Sequence, residues 1–106
     1  MQLQKAALLL KNKRLGRLYK THFIMKPTIG RVVIYNTTSA DKAKMEAANT
    51  LNGSCNTQDK LPAIITAVWS DECVNLKVIT DGNLDLWVTS ANKGDEPMNW
   101  NWPVIN

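Results

Sequence analysis

Along "CVNLKVIT", residues 73–80, apolar and polar positions alternate. Val74, Leu76, Val78 and Thr80 fall on one side of an extended chain, and Cys73, Asn75, Lys77 and Ile79 on the other. Asp81-Gly82-Asn83 follows as a strong hairpin signal. "LDLWVTS" then returns with Leu84, Leu86 and Val88 on one face and Asp85, Trp87 and Thr89 on the other. "RVVIY", Arg31 to Tyr35, is β-branched and aromatic and reads as a strand. "PAIITAVW" is a longer apolar strand ended by a Ser70-Asp71-Glu72 turn, and "MNWNWP" alternates again until Pro103 stops it. Strands are therefore expected at 31–35, 62–69, 73–80, 84–90 and 98–102. After the first, "SADKAKMEAANTLNG" reads as a helix over about 39–52. Ser39 is its expected N-cap, and Gly53 its stop.

Five short strands bury little as a flat sheet, whereas a strongly bent sheet closing on itself also removes exposed edges. The expected fold is mainly β (α+β): a small five-stranded SH3-like barrel or roll with one inserted helix and a basic N-terminal helical arm. The arm is residues 1–24, where Leu3, Ala7, Leu10 and, after a slip of phase, Leu15 and Leu18 share one side. The barrel domain is residues 25–106. At 106 residues the chain has room for one core.

Charge divides the chain at the same place. Residues 1–24 hold Lys5, Lys11, Lys13, Arg14, Arg17 and Lys20 and no acid, a charge of +6. Residues 25–106 hold seven basic residues against nine acids, a charge of −2. No apolar run approaches the roughly 20 residues that cross a bilayer, so no membrane partner is expected and the default location is the cytoplasm.

Candidate chemistry is sparse. Cys55 and Cys73 fit no zinc or redox spacing, and His22 alone completes no metal site with them. Cys73 reads as a small apolar strand residue, and a disulfide is not favoured. Asp71 with Glu72 and Asp95 with Glu96 are adjacent acids whose side chains diverge. Asp81 reads as a turn residue and Asp85 as a solvated strand residue. The expectation is a protein that is not an enzyme and uses no cofactor and no metal.

Binding is the better class, because four tryptophans stand in the 82 residues of the body. Trp100 and Trp102, two apart, are expected to share a strand face and lock the last strand, and Trp69 to be core. Trp87 faces outward if Leu86 and Val88 face in. Arg31 is expected to pair with a turn acid such as Glu96. The candidate binding residues are Trp87, Trp100, Trp102, Arg31 and Tyr35. Aromatics with Arg suit a protein interface, including one with another copy of the chain. The alternative is a nucleic-acid or small-nucleotide binder that stacks bases on these rings. The acidic body lacks the basic patch that phosphate binding requires, which favours protein.

"KPTIGRVVIY", "LPAIITAVWSDECVNLKVITDG", "LWVTS" and "EPMNWNWP" resemble, in order as well as content, a family of small tailed-phage and prophage proteins. The resemblance covers roughly residues 26–103. It implies a phage or prophage gene product acting in a bacterial cytoplasm on a host or phage protein, and it implies no mechanism. Asn101 stands where the family often shows His between the two tryptophans, so no role can be given to that histidine here. Members usually begin just before the Pro-Thr pair. Residues 1–24 are then either an N-terminal arm or sequence upstream of a start at Met25, and both readings stay open.

Overall fold

The computed structural model describes residues 25–104, and the expected basic arm lies outside them. Its elements are β1 (Val32–Asn36), α1 (Ser39–Asn52), β2 (Cys55–Asn56), β3 (Lys60–Val68), β4 (Cys73–Ile79), β5 (Asp81–Gly82), β6 (Asp85–Asn92) and β7 (Trp100–Asn101). Five strands form one antiparallel sheet in the order β6-β4-β3-β1-β7, curled into a half-barrel. β2 and β5 pair separately as a two-stranded ribbon.

Alternation decides the inner face. Val33 and Tyr35 of β1, Leu61, Ala63 and Ile65 of β3, Val74, Leu76 and Val78 of β4, and Leu86, Val88 and Ala91 of β6 are all buried. Trp100 of β7, Met45 of α1 and Cys55 of β2 complete this core, with Ala48, Leu84 and Trp102 packed against it. Register shifts put one extra residue on β3, between Ile65 and Ala67, and one on β6, between Val88 and Ala91. Such bulges bend and twist a sheet, which suits the curl seen here.

At one end the curl brings the sheet's two sides together. β7 pairs with β1 through Ile34 with Asn101 and Tyr35 with Trp100. On its other side Trp100 forms a parallel bridge with Lys93, just beyond β6, and the Trp100 carbonyl accepts from the Gly94 N–H at 3.0 Å.

The helix spans the expected residues, but its N-cap is Thr38 and not Ser39, because the Thr38 hydroxyl accepts from the Asp41 N–H while the Asp41 carboxylate accepts from the Thr38 N–H, both at 3.0 Å. This reciprocal capping box satisfies two otherwise orphaned donors. Gly53 ends the helix as expected, in the left-handed region at φ +66°. The hairpin expected at Asp81-Gly82-Asn83 is present, since β4 and β6 pair antiparallel up to Ile79 with Asp85, and within its loop Asp81 and Gly82 form strand β5. A Cβ at Gly82 would overlap the Ser54 carbonyl, so this close crossing of chains needs glycine. The closing strand is only Trp100–Asn101, since Met98 at φ +76° breaks extension before it.

Candidate functional site

The outer face of the half-barrel follows from the same register. Val32 lies opposite Ile64, Ile64 opposite Lys77, and Lys77 opposite Trp87, a row across four strands. In the next row Asn101 lies opposite Ile34, Ile34 opposite Pro62, and Ile79 opposite Asp85. Trp87 is 66% exposed, Val32 49% and Ile79 45%. Pro62 is exposed and Ile34 and Ile64 half-buried, so an apolar surface stays open among the described residues. Lys60, Lys77 and Asp85 are its charges. Exposed apolar side chains are ordinary one at a time, but adjoining ones on a single sheet face mark a docking surface.

Beside this face, a cleft of about 460 Å³ is lined by Ile34, Asn36, Lys60, Asp95, Asn101 and Trp102, among others. Trp102 is half-buried, and its ring meets Trp100 edge to face, with centroids 5.2 Å apart and planes at 88°. The Arg31 guanidinium carbon stands 5.0 Å from the centroid of the Trp102 ring. The Lys60 Nζ donates to Asn36 Oδ1 at 2.7 Å, and Asn101 Nδ2 donates to Asp95 Oδ1 at 3.2 Å. The cleft thus has an aromatic wall and a rim of tied polar groups.

The five candidate binding residues separate into two groups. Trp87 lies on the outer face, with Trp102 at the cleft and Arg31 against it. Trp100 and Tyr35 are in the core and fully buried, so they meet no partner; their role is structural. The Trp100 indole N–H donates to the Glu72 carbonyl at 3.0 Å, which ties the last strand to the β3–β4 turn. The Tyr35 hydroxyl donates to Asp41 Oδ2 at 2.6 Å. Burial pushes the Tyr35 phenol well above its ordinary pKa, and the hydrogen bond to Asp41 and its charge push the same way. On the exposed side of α1, the hydrogen bond and charge of Lys42, 2.6 Å away, hold the Asp59 carboxyl below its usual range.

Two further expectations are corrected. Arg31 does not pair with Glu96: it rests on Trp102, and its Nη2 reaches Met25 Sδ at 3.7 Å. Trp69 is not core but 64% exposed. Its indole N–H donates to Asn75 Oδ1 at 2.9 Å, and the same oxygen accepts from the Ser90 N–H at 2.8 Å. Trp69 is therefore a held, presented aromatic that alternation does not reveal.

The Asp81 carboxylate accepts from Asn56 Nδ2 at 3.0 Å, while Asp85 lies on the outer face. Cys55 is buried, Cys73 half-buried, and both are free. Among the described residues no group of three or more His, Cys, Asp or Glu is placed to hold a metal ion. Among them, too, no helix is long and apolar enough to cross a membrane. No protein-family model matches the chain, and no curated protein or solved structure matches it either.

Proposed function

We propose that the protein is a non-enzymatic binding module that docks the outer face of its half-barrel onto another protein. The observation that carries this reading is the run of adjoining exposed apolar side chains, Val32, Ile79 and Trp87 with Pro62, on one sheet face. Covering the exposed two-thirds of Trp87 would remove on the order of 150 Å² of apolar surface, worth about 4 kcal/mol at about 25 cal/mol per Å². An interface needs only a few such anchors. With the resemblance to tailed-phage proteins, the reading becomes a phage or prophage accessory protein, an SH3-like barrel acting on a host or phage protein in the bacterial cytoplasm.

A photo-crosslinking residue at Val32 or Ile79 tests it in host cells. We expect one protein to be captured from either position, and none from Asp59 on the helix side, with capture persisting in about 0.5 M salt. Crosslinks confined to nucleic acid would refute the reading. So would tight binding of short oligonucleotides that weakens steeply with salt, by about 0.7 log unit per phosphate contact for each tenfold rise in salt.

The Trp102 cleft favours a second reading, a small-nucleotide pocket. Its volume is within the roughly 300–1,000 Å³ of ligand sites, and it offers a ring for stacking with Lys60 at its rim.

A further inference from the structure

We infer that the free edge of β6 pairs with the same edge of a second copy of this chain, antiparallel and about a twofold axis at Trp87. The main sheet has two edges. That of β7 is engaged, since Trp100 bridges to Lys93 and its carbonyl accepts from Gly94. β6 pairs with β4 on one side, and no described strand pairs with its other side. In an antiparallel ladder every second residue turns its N–H and C=O away from its neighbour strand. The run from Asp85 to Val88, up to the register shift, therefore presents a row of backbone groups that no described strand pairs.

Natural sheets blunt such edges with charge, proline or a bulge. Here those devices stand only at the ends of the run. Asp85 is at one end, and at the other is the bulge of Thr89 and Ser90, with Ser90 at φ +54°. Leu86, Trp87 and Val88 between them carry none. The middle of the edge is built to be covered.

Symmetry and charge select the occupant. Antiparallel pairing about a twofold axis sets one residue against its own counterpart, and Trp87 is the exposed aromatic within the run, so centring the pair there sets Trp87 against Trp87 of the second copy. Leu86 then meets Val88 of the second copy, and Asp85 meets Thr89. No like charges face each other, and like charges directly opposite are what such pairing must avoid. Sliding the register toward the start of the strand drives Asp85 toward its counterpart, and sliding it the other way runs into Ser90. The two exposed indoles, which project outward beside the edge, become a cross-strand aromatic pair. Inward, Leu86 and Val88 keep small residual exposures of 5% and 8% that the second copy would close. The apolar rows of both outer faces become continuous.

The contact is small. Five residues a side with two tryptophans fall short of the roughly 1,200–2,000 Å² of a standard interface, so the association is expected to be weak and concentration-dependent. The inference rests on the docking reading to the extent that Trp87 belongs to both surfaces.

Sedimentation of the full chain from about 1 µM to about 500 µM should show a reversible monomer–dimer equilibrium. Trp87→Lys should weaken it more than tenfold without lowering the melting temperature, because Trp87 is largely exposed and carries no core packing. In a Cys73→Ser background, Trp87→Cys should form a self-disulfide on mild oxidation. Residues directly opposite in an antiparallel pair lie about 4.5–5.5 Å apart at Cα, within disulfide reach. Thr89→Cys should not link to itself but should link to Asp85→Cys when the two are mixed. A chain that stays monomeric at about 500 µM overturns the inference, as does a dimer indifferent to Trp87→Lys or Thr89→Cys linking to itself. A dimer that persists while crosslinking at Val32 finds no partner supports the edge and sinks the docking face; a captured partner without a dimer does the reverse.

Discussion

Tyr35→Phe removes one oxygen from the core, and its cost can be worked from what that oxygen does. The Tyr35 hydroxyl donates at 2.6 Å to Asp41 Oδ2, and the same carboxylate oxygen receives the Thr38 N–H of the helix cap. Both side chains are buried, Tyr35 fully and Asp41 nearly so. Without the hydroxyl, a buried carboxylate loses one of its donors, and hydrogen bonds to charged groups are worth about 1.5–3 kcal/mol. We expect Tyr35→Phe to cost about 2 kcal/mol at pH 7, or roughly 8–16 °C in melting temperature for a domain of this size. The pH dependence separates this cause from lost packing. The phenol's pKa is raised in the fold, so the unfolded chain releases the proton first as pH rises above about 10. Between that pH and the folded value the native state binds one proton more than the unfolded state. Stability is therefore full below about pH 10 and falls by about 1.4 kcal/mol per pH unit above it. Tyr35→Phe lacks this slope, so the gap between wild type and variant should shrink from about 2 to below about 1 kcal/mol by pH 11. Urea unfolding at pH 7, 9, 10 and 11 measures it. A cost under about 0.5 kcal/mol, or a gap that stays constant to pH 11, would refute the assignment of Tyr35 to a buried hydrogen bond with Asp41.

Trp100→Ala should cost about 3–5 kcal/mol, a large share of a small domain's stability, because the ring is fully buried and its N–H holds the Glu72 carbonyl. Trp102→Ala should cost less than half as much; urea melts of the pair that reverse this order would contradict the placement of the two rings. Gly82→Ala should cost about 1–3 kcal/mol, because its Cβ would force β5 off the Ser54 carbonyl. Amide exchange would show it as lost protection at Asn83, whose N–H bonds that same carbonyl at 3.0 Å.

The parts of the fold legible from the residues are those where one face of a strand is buried and the other is not. In "CVNLKVIT" and "LDLWVTS" period-2 alternation alone separates Val74, Leu76, Val78, Leu86 and Val88 from Lys77, Asp85 and Trp87, and the burial follows it. The helix is legible for a different reason: a run of helix formers ends at the one residue type that readily adopts φ +66°. Its start is less so. Thr38 and Ser39 both carry a capping hydroxyl, and only the reach of one to the Asp41 amide decides between them. The β2–β5 ribbon was not legible, because strands of two residues have no period. Bulges left no mark either. The register shift at Asn75 turns an apparently solvated position into a buried acceptor shared by Trp69 and Ser90.

That shared acceptor explains why burial of the tryptophans was the hardest feature to read. Trp69 closes an apolar run and Trp100 sits among asparagines, yet Trp69 is exposed and Trp100 is core. Each indole N–H has a partner, Asn75 Oδ1 for one and the Glu72 carbonyl for the other, so a satisfied donor does not distinguish the two environments. What distinguishes them is whether the chain continues extended beyond the ring. β3 ends at Val68, one residue short of Trp69, and the turn at Ser70 carries that ring past the end of the core. Trp100 is held between β1 and Lys93 and is enclosed. Trp102 follows the end of β7, so it leaves the alternation that would have stacked it parallel to Trp100 and meets that ring edge-on. Arg31 then had two possible partners of similar worth. A surface ion pair with Glu96 and a cation–π contact with Trp102 each contribute at most about 1 kcal/mol. No energy rule applied to the sequence could choose between them; the turn of the chain after Asn101 does, by placing the ring beneath the guanidinium.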